Sequence, residues 1–333
     1  MEITIREGAD PVLLAAAHAF YDRYSVAGEG QDNTDLRLLP VGREEWEGWL
    51  AGTGRHTVTA WQGQRLVGLC LGVEGPERRC GYLSYLCVAP DRRRQGIGTR
   101  LMDRLESVLG KVPETDKLEV VFHNPVHLPW LLPGCGGDWH PCMPGVDMDS
   151  ALYPFLRSRG WQDFARQNLY HQRLAGYTDP PALAANRARL LSEGIQLTLY
   201  DPTRHRGLAE LFDNIRNPGW KAQVLAHTDR PIVVAVDRRV GDTPEGGLVV
   251  SYTGPLSVEG SPGRGNFCGI GTRTDYRGRG IGKLVFCEMC RRHAEAGADF
   301  MSLYTGDSNP ARHIYEAAGF TIVRSFMDMR KTL

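Results

Sequence analysis

Two short stretches of the chain combine arginines with closely spaced glycines, which suits them to bind phosphate. Residues 93–98 are Arg-Arg-Gln-Gly-Ile-Gly, and residues 277–282 are Arg-Gly-Arg-Gly-Ile-Gly. Glycine lets the backbone approach an anion closely and adopt a positive φ. The free N–H groups at the start of a following helix, together with arginine side chains, can hold a pyrophosphate. Both stretches are therefore candidate phosphate-binding loops.

Each loop lies between a predicted strand and a predicted helix, and this context occurs twice, 184 residues apart. Two β-like runs and a third strand precede each loop, which indicates antiparallel order. An apolar-periodic helix, another strand and a short helix follow. That last helix ends at Gly160-Trp161 in the first copy and at Gly319-Phe320 in the second. The chain therefore contains two copies of one pattern.

Other phosphate-binding motifs do not match these loops. The sequence G-x-x-x-x-G-K-[ST] of a P-loop is absent. The second loop has glycines spaced as G-x-G-x-G, whereas a dinucleotide fingerprint requires G-x-G-x-x-G within a parallel βαβ unit. A nucleotide-dependent oxidoreductase is therefore the weakest of the functions considered.

Composition is typical of a soluble globular protein with two domains. The 333 residues include 39 Lys plus Arg and 39 Asp plus Glu, so the balance does not favour a nucleic-acid partner. No apolar run reaches the roughly 20 residues that a membrane span needs. The N-terminal stretch lacks the features of a secretory signal. We expect a cytoplasmic protein, monomeric or homodimeric, without nucleic-acid or membrane partners.

The first copy has an extra loop, residues 121–147, which accounts for its 25 additional residues. The loop holds five prolines and four glycines. A loop of this length is usually functional, and Trp130 and Trp139 suggest that it covers something. A structural flap that packs on the neighbouring domain is an equally good interpretation.

The cysteines do not predict a metal site or a disulfide framework. Cys287 and Cys290 lie within a predicted helix, where packed thiols are the better interpretation. Cys135, His140 and Cys142 are a slightly better metal candidate, but a structural zinc needs four ligands, so a plain loop is favoured.

Residues 88–98 and 272–282 resemble the acetyl-coenzyme A signature R/Q-x-x-G-x-G/A of the GNAT superfamily of N-acetyltransferases. Residues 309–320, Asn-Pro-Ala-Arg-His-Ile-Tyr-Glu-Ala-Ala-Gly-Phe, resemble the second half of that family's pattern. The resemblance covers nearly the whole chain as two successive domains, an architecture similar to that of mycothiol synthase. It implies acetyl-CoA as cosubstrate, bound by Val88, Arg93, Arg94, Gln95, Gly96, Ile97, Gly98, Ile270, Gly271, Thr272, Arg277, Gly278, Arg279, Gly280, Ile281, Gly282, Lys283 and Asn309.

The resemblance also implies the fold. Each domain should be a mixed, mostly antiparallel sheet flanked by helices, an α/β (α+β) fold. The sheet should splay between its fourth and fifth strands to admit the pantetheine arm. We expect an N-terminal domain over 1–174, a linker over 175–194 and a C-terminal domain over 195–333.

Catalysis is expected in the second domain, because only that copy keeps the family's acid. By resemblance, Tyr315 would protonate the leaving thiolate, Asn309 would fix the coenzyme arm, and a backbone N–H near 269–271 would hold the thioester oxygen. Leu156 stands at the position of Tyr315 in the first copy. The first domain is therefore expected to be structural, or at most a degenerate coenzyme site.

The proton acceptor and the substrate are less well defined. Glu259 is the first candidate for the general base and Asp213 the second, and Trp220 could line an acceptor pocket or belong to the core. The expected reaction is direct acetyl transfer, in a ternary complex, to a primary amine of an amino sugar, aminoglycoside-like antibiotic, polyamine or amino acid. The alternatives are a non-catalytic acyl-CoA-binding sensor and a peptide or protein N-acetyltransferase.

Overall fold

The computed structural model describes residues 2–30, 36–75, 79–240 and 246–333. The chain forms two compact units. The first contains residues 1–168 together with Arg324–Leu333, and the second contains Leu169–Val323. The chain thus leaves the first unit after Asn168 and returns to it for its last residues. The domain limits of the sequence analysis, which contain no such return, remain predictions.

The first unit begins with a sheet and its covering helices. Its elements are β1 (Ile3–Glu7), α1 (Pro11–Tyr21), a π-helical turn (Asp22–Val26), α2 (Arg43–Ala51), β2 (Arg55–Gln62), β3 (Arg65–Gly75), β4 (Cys80–Val88), a 3-10 turn (Pro90–Arg92), α3 (Ile97–Leu109), β5 (Lys117–Val120), β6 (Trp130–Leu131), β7 (Trp139–His140), β8 (Val146–Asp147), α4 (Leu152–Ser158) and β9 (Gln162–Arg173), whose last residues enter the second unit.

The second unit follows a similar order. Its elements are a 3-10 turn (Pro181–Leu183), α5 (Ala184–Ser192), β10 (Ile195–Leu199), β11 (His205–Arg206), α6 (Leu208–Asn214), α7 (Pro218–Leu225), β12 (Ile232–Asp237), a 3-10 turn (Arg238–Val240), β13 (Gly247–Pro255), β14 (Val258–Glu259), β15 (Arg264–Gly265), β16 (Ile270–Thr272), a 3-10 turn (Thr274–Tyr276), α8 (Ile281–Glu295), β17 (Phe300–Gly306), α9 (Arg312–Ala317) and β18 (Thr321–Thr332), whose last residues belong to the first unit.

Strands β1 to β4 of the first unit pair antiparallel in chain order, and β5 lies parallel to β4. The β4–β5 ladder joins Cys80–Tyr82 to Lys117–Glu119 and goes no further, although β4 continues to Val88. The far edge of β5 pairs with the last residues of the chain, Met329–Thr332. The two parallel strands therefore diverge after Tyr82, and the C-terminal strand supports β5.

Helix α3 packs on this sheet through a leucine face opposed by glycines. Leu101, Leu105 and Leu109 are buried. A Cβ placed at Gly72 would lie 2.5 Å from a methyl carbon of Leu105. The glycine in the strand thus makes room for a large side chain from the helix, and this close contact sets the position of the helix that follows the first loop.

In the second unit, β10 pairs antiparallel with β12 and β12 with β13. Strand β13 also pairs with β16, antiparallel, and with β11, parallel, and β17 is parallel to β15. Helix α8 buries its apolar face against this sheet. Cys287 and Cys290 lie in that core, as packed helix thiols, which confirms the sequence-based interpretation. Both units are mixed sheets flanked by helices, so the predicted fold class is confirmed.

None of the helices in the described part of the chain has the length and apolar character needed to cross a membrane.

Candidate functional site

The first loop, 93–98, has the conformation of a helix-initiating anion site. Gly96 caps α3 in the left-handed region, with a φ of 77°. Arg94 also has a positive φ, of 62°. The N–H groups of the first turn of α3 have no partners within the helix, so they are available to an anion at this end, as is the positive end of the helix dipole.

The arginines around this loop have different partners. Arg93 donates from Nε to the carbonyl of Val88 at 3.2 Å, which ties the loop to the end of β4. Arg92 donates from Nε to Gln62 at 2.9 Å. Arg94 is exposed, and its side chain makes no ion pair or hydrogen bond to the other described residues. It is therefore the cation of this loop that is free to meet a phosphate.

A cavity of about 560 Å³ opens beside the loop, where β4 and β5 diverge. It extends from Arg92–Arg94, Gly96 and Gly98 along β4 to the end of β5 and the segments after it. Phe155 of α4 forms part of the wall near Gly98. All the described residues around this cavity belong to the first unit. Its volume falls within the range of pockets that hold small molecules.

Four polar residues of the cavity form hydrogen bonds within its wall. Ser25, on the π-helical turn, and Tyr85, on β4, share a hydrogen bond of 2.6 Å between their hydroxyl oxygens. Ser84 donates to Oδ1 of Asn124 at 2.8 Å, and Nδ2 of Asn124 donates to the carbonyl of Leu83 at 2.8 Å. Burial raises the pKa of Tyr85 well above its usual value, so it remains a neutral phenol.

The extra loop forms part of the cavity wall. Val126, Leu128, Met143 and Val146 line it. Trp130 is fully buried and donates from its indole nitrogen to the carbonyl of Cys142 at 3.0 Å, which holds the loop together. The sequence left a functional and a purely structural role of this loop equally open. In the structure, the loop forms one wall of the cavity.

Asp147, at the end of this loop, is neutralised within the first unit. Arg324 donates to both of its carboxylate oxygens, each at 2.8 Å. Burial still outweighs the pairing and raises the pKa of Asp147. The returning C-terminal strand therefore supplies the countercharge for the acid that lines the cavity.

The second loop, 277–282, has the same backbone shape but different surroundings. Gly280 caps α8 with a φ of 78°, and Arg277 donates from Nε to the carbonyl of Thr272 at 3.2 Å. Arg279 forms an ion pair with Glu193, which lies just after α5. This contact with Arg279, and a second one with Arg189, hold the pKa of Glu193 below its usual value.

Helix α5 lies directly against this second loop. Arg189 donates to the carbonyl of Arg279 at 2.9 Å. A Cβ placed at Gly280 would lie 2.6 Å from Nδ2 of Asn186, whereas one placed at Gly96 would meet nothing within 4 Å. The first loop is thus open beside its central glycine, and the second is covered there by a helix of its own unit.

Tyr315 lies in an aromatic cluster of the second unit. It is buried and contacts Phe267, Phe286 and Tyr170, with ring centroids 5.0 to 6.0 Å apart. Burial raises its pKa to about 12. The preceding residue, Ile314, lies 3.3 Å from a Cβ placed at Gly282. Tyr315 is therefore on the helix that faces the second loop, with its ring in the core.

The two candidate bases make ion pairs away from Tyr315. Glu259 lies on the edge strand β14 with 44% of its side chain exposed, 3.4 Å from Arg264. Asp213 is exposed and accepts from Lys221 through both oxygens. None of the contacts described for either acid involves Tyr315 or the second loop. Trp220 packs against Gly269, 3.0 Å from a Cβ placed there.

Sequence reasoning missed Asn124. The pairs Asn124-Pro125 and Asn309-Pro310 are 185 residues apart, almost the spacing of the two loops. Each asparagine accepts from the N–H two residues later, Asn124 at 3.1 Å and Asn309 at 3.0 Å. The extra loop of the first copy follows this shared Asn-Pro pair, and the repeated dipeptide was the signal that could have identified it.

The possible metal site has no support in the described part of the chain. There, no three His, Cys, Asp or Glu side chains form a group that could hold a metal ion. None of the eight cysteines forms a disulfide.

Comparison with known families matches both halves of the chain. Residues 16–126 match the acetyltransferase (GNAT) family, and residues 258–327 match the FR47-like protein family. A mycothiol acetyltransferase of Corynebacterium aurimucosum is 40% identical over 66 residues, which is 20% of this chain and 22% of that protein. The match thus spans about a fifth of the curated relative.

Several solved structures share the fold along the whole chain. A tandem GNAT protein from the clavulanic acid biosynthesis pathway has a TM-score of 0.60 at 17% identity, covering 99% of this chain and 98% of that one. A GCN5-related N-acetyltransferase from Sphaerobacter thermophilus has a TM-score of 0.60 at 17% identity, covering 99% of this chain and 95% of that one. A glucosamine N-acetyltransferase region in a fungal multi-domain β-N-acetylglucosaminidase has a TM-score of 0.66 at 19% identity, covering 99% of this chain and 38% of that one. At these identities the likeness concerns the fold alone.

Proposed function

Because this chain belongs to the GNAT family, as two successive domains of that fold, we propose that it is an acetyl-CoA-dependent N-acetyltransferase. Its acceptor would be the primary amine of a small molecule. We further propose that acetyl-CoA binds in the first unit. The observation that carries this second proposal is the cavity of about 560 Å³, which adjoins an open phosphate-binding loop.

The residues of the first unit suit the parts of acetyl-CoA. The N–H groups that begin α3 and the side chain of Arg94 would hold the pyrophosphate. Phe155 and Val88 lie beside Gly98, where the pantetheine arm would enter the cavity. The ladder between β4 and β5 ends at Tyr82, which leaves a gap between the two strands after that residue. A backbone N–H of β4 that faces this gap would donate a hydrogen bond to the thioester oxygen.

The reaction would proceed by direct attack. A neutral amine adds to the thioester carbonyl, the new C–N bond forms, and the C–S bond breaks. The amine gives up one proton and the sulfur gains one, so the products are an acetamide and free CoA. A β4 N–H would stabilise the oxyanion that develops during the attack. A thiol with a pKa of about 8.5 can leave as its thiolate, so the transfer does not depend on a tyrosine acid.

Two other assignments remain candidates. The second unit is the expectation from sequence, with Tyr315 as acid, Asn309 fixing the coenzyme arm and Glu259 as base. Asn186 of α5 lies against Gly280 and leaves less room for a phosphate there, which argues against the second unit as the coenzyme site. A non-catalytic acyl-CoA sensor is favoured by Leu156, which takes the place of Tyr315 in the unit with the open cavity.

Calorimetric titration with acetyl-CoA tests the location. Gly96→Asp adds a negative charge where the pyrophosphate should bind, and Gly96→Ala is its control because it imposes the same backbone strain without the charge. We expect one site per chain, at least tenfold weaker in Gly96→Asp than in Gly96→Ala. The matching variant, Gly280→Asp, should bind like the wild type.

Loss of binding in Gly280→Asp alone, with an unchanged melting temperature, would move the site to the second unit. No binding in the wild type would refute the acetyltransferase assignment. Binding without thiol release, across a panel of amines, would support the sensor.

A further inference from the structure

We infer that the acceptor of the first unit is a primary amine on an apolar, otherwise uncharged body, rather than a polyamine or an aminoglycoside. This inference rests on the proposed function. It depends on the half of the cavity that lies away from the phosphate-binding loop, which is called here the distal half. Leu36, Leu38, Leu128 and Met143 are among the residues that line the cavity. The N–H of Leu38 donates to the carbonyl of Ser25 at 2.9 Å, and Trp130, which pairs with Leu38, donates to the carbonyl next to Met143, so these segments lie at the Ser25 end.

The direction of β4 separates the two ends of the cavity. Val88 ends the strand next to the loop, whereas Ser84 is four residues earlier, about 13 Å away at the usual rise of a strand. Ser84 and Tyr85 contact Asn124 and Ser25, which belong to other segments of the distal half. The coenzyme would enter at Val88, so the space towards Ser84 and Tyr85 is left for the acceptor.

The distal half offers apolar contact and little charge compensation. The described side chains that line the cavity from the segment after the π-helical turn and from the extra loop are mostly apolar, with Asn124 and Asp147 as the polar exceptions. Asp147 is the one carboxylate among the described residues that line the cavity, and Arg324 already donates to both of its oxygens. A second or third ammonium group would therefore lose its hydration without finding a counterion among these residues.

One amine nitrogen, in contrast, can be accommodated. The hydroxyl oxygens of Ser25 and Tyr85 lie 2.6 Å apart, and the hydrogen bond between them uses one hydroxyl proton and one lone pair. Each hydroxyl oxygen has two lone pairs, so acceptor capacity remains for an N–H of the substrate. The pair lies on β4 and on the π-helical turn, and neither group carries a charge, which suits the neutral amine that must attack the thioester.

Three primary amines with different bodies test this inference: phenethylamine, spermidine and glucosamine. Release of the CoA thiol gives kcat/KM for each, and calorimetry of each amine with CoA-loaded protein gives its affinity independently of turnover. We expect phenethylamine to exceed spermidine at least tenfold in both. One methylene in an apolar pocket already discriminates by roughly 10- to 200-fold.

Met143 provides the matched variants. Met143→Glu places a carboxylate in the distal half, and Met143→Gln has nearly the same shape without the charge. The ratio of kcat/KM for phenethylamine to kcat/KM for spermidine measures the preference. We expect this ratio to be at least tenfold smaller in Met143→Glu than in Met143→Gln. An equal change in both variants would mean that charge does not govern the choice and would overturn the inference.

The failures of the two proposals are distinguishable. Turnover or binding that is strongest with spermidine or glucosamine would overturn this inference and leave the acetyltransferase assignment intact. If acetyl-CoA does not bind to the wild type at all, the proposed function fails and this inference fails with it.

Discussion

Replacing Arg324 by methionine should destabilise the first unit strongly, because it leaves Asp147 buried without its partner. Arg324 is 14% exposed and Asp147 is 5% exposed, and the pair is bidentate at 2.8 Å. Methionine keeps much of the apolar stem of arginine, so the main loss is the charge. Removal of one member of such a buried pair costs about 3–5 kcal/mol at pH 8.

The loss should depend on pH in a definite direction. Burial already raises the pKa of Asp147 above its ordinary value of 3.8, and Arg324 opposes that rise. Without Arg324, the pKa in the folded state would rise further above the unfolded value. The stability of the variant is then greatest at acid pH, where Asp147 is neutral, and falls as pH rises through the folded-state pKa. The deficit against the wild type should therefore shrink between pH 8 and pH 5.

Urea unfolding followed by tryptophan fluorescence measures this effect, since six of the seven tryptophans precede residue 169. The control is Arg157→Met, which removes an exposed ion pair with Asp163 in the same unit and should leave the midpoint unchanged. A loss below about 1 kcal/mol in Arg324→Met, or a loss that is the same at pH 5 and pH 8, would refute the reasoning.

Three further substitutions have clear expectations. Burial raises the pKa of Asp328 to about 6. Asp328→Asn should therefore stabilise the protein by up to about 3 kcal/mol at pH 8 and by little at pH 4. Urea midpoints measured across that pH range would contradict this expectation if the gain in stability did not vary with pH. His293 has a pKa lowered to about 4, again mainly by burial. The wild type should therefore lose stability from this residue as pH falls from 6.5 to 4, by up to about 3 kcal/mol, and His293→Gln should show a smaller loss in the same titration. Gly72→Ala places a methyl 2.5 Å from Leu105 and should lower stability by about 1–3 kcal/mol; an unchanged melting temperature would mean that α3 shifts freely.

The fold class and the two loops followed from the sequence because they depend on neighbouring residues. The strand, the Gly-Ile-Gly and the apolar-periodic helix are local patterns, and the positive φ of Gly96 and Gly280 is a local requirement that glycine meets. Because the same pattern occurs twice in the chain, each copy supported the interpretation of the other. The burial of Cys287 and Cys290 followed from the same helical periodicity.

The choice between the two loops could not be made in this way. Both have the same backbone, yet one is open and the other is covered by Asn186, which lies 94 residues before Gly280. Tyr315 matched a family position, but only the packing revealed its ring among Phe267 and Phe286. Free space beside a loop depends on which distant segments pack there, and local pattern contains no information about that.

The cavity itself is the clearest product of tertiary structure. It is built from a π-helical turn, β4, the end of β5, the extra loop and α4, which are distant in sequence. Its acid is neutralised by Arg324, 177 residues further along the chain, on a strand that returns to the first unit. The sequence was sufficient to predict candidate phosphate-binding loops, because that prediction needs only a glycine, an arginine and a helix start. Tertiary structure decided where a substrate has room, because an enclosed volume exists only after separate elements have packed around it.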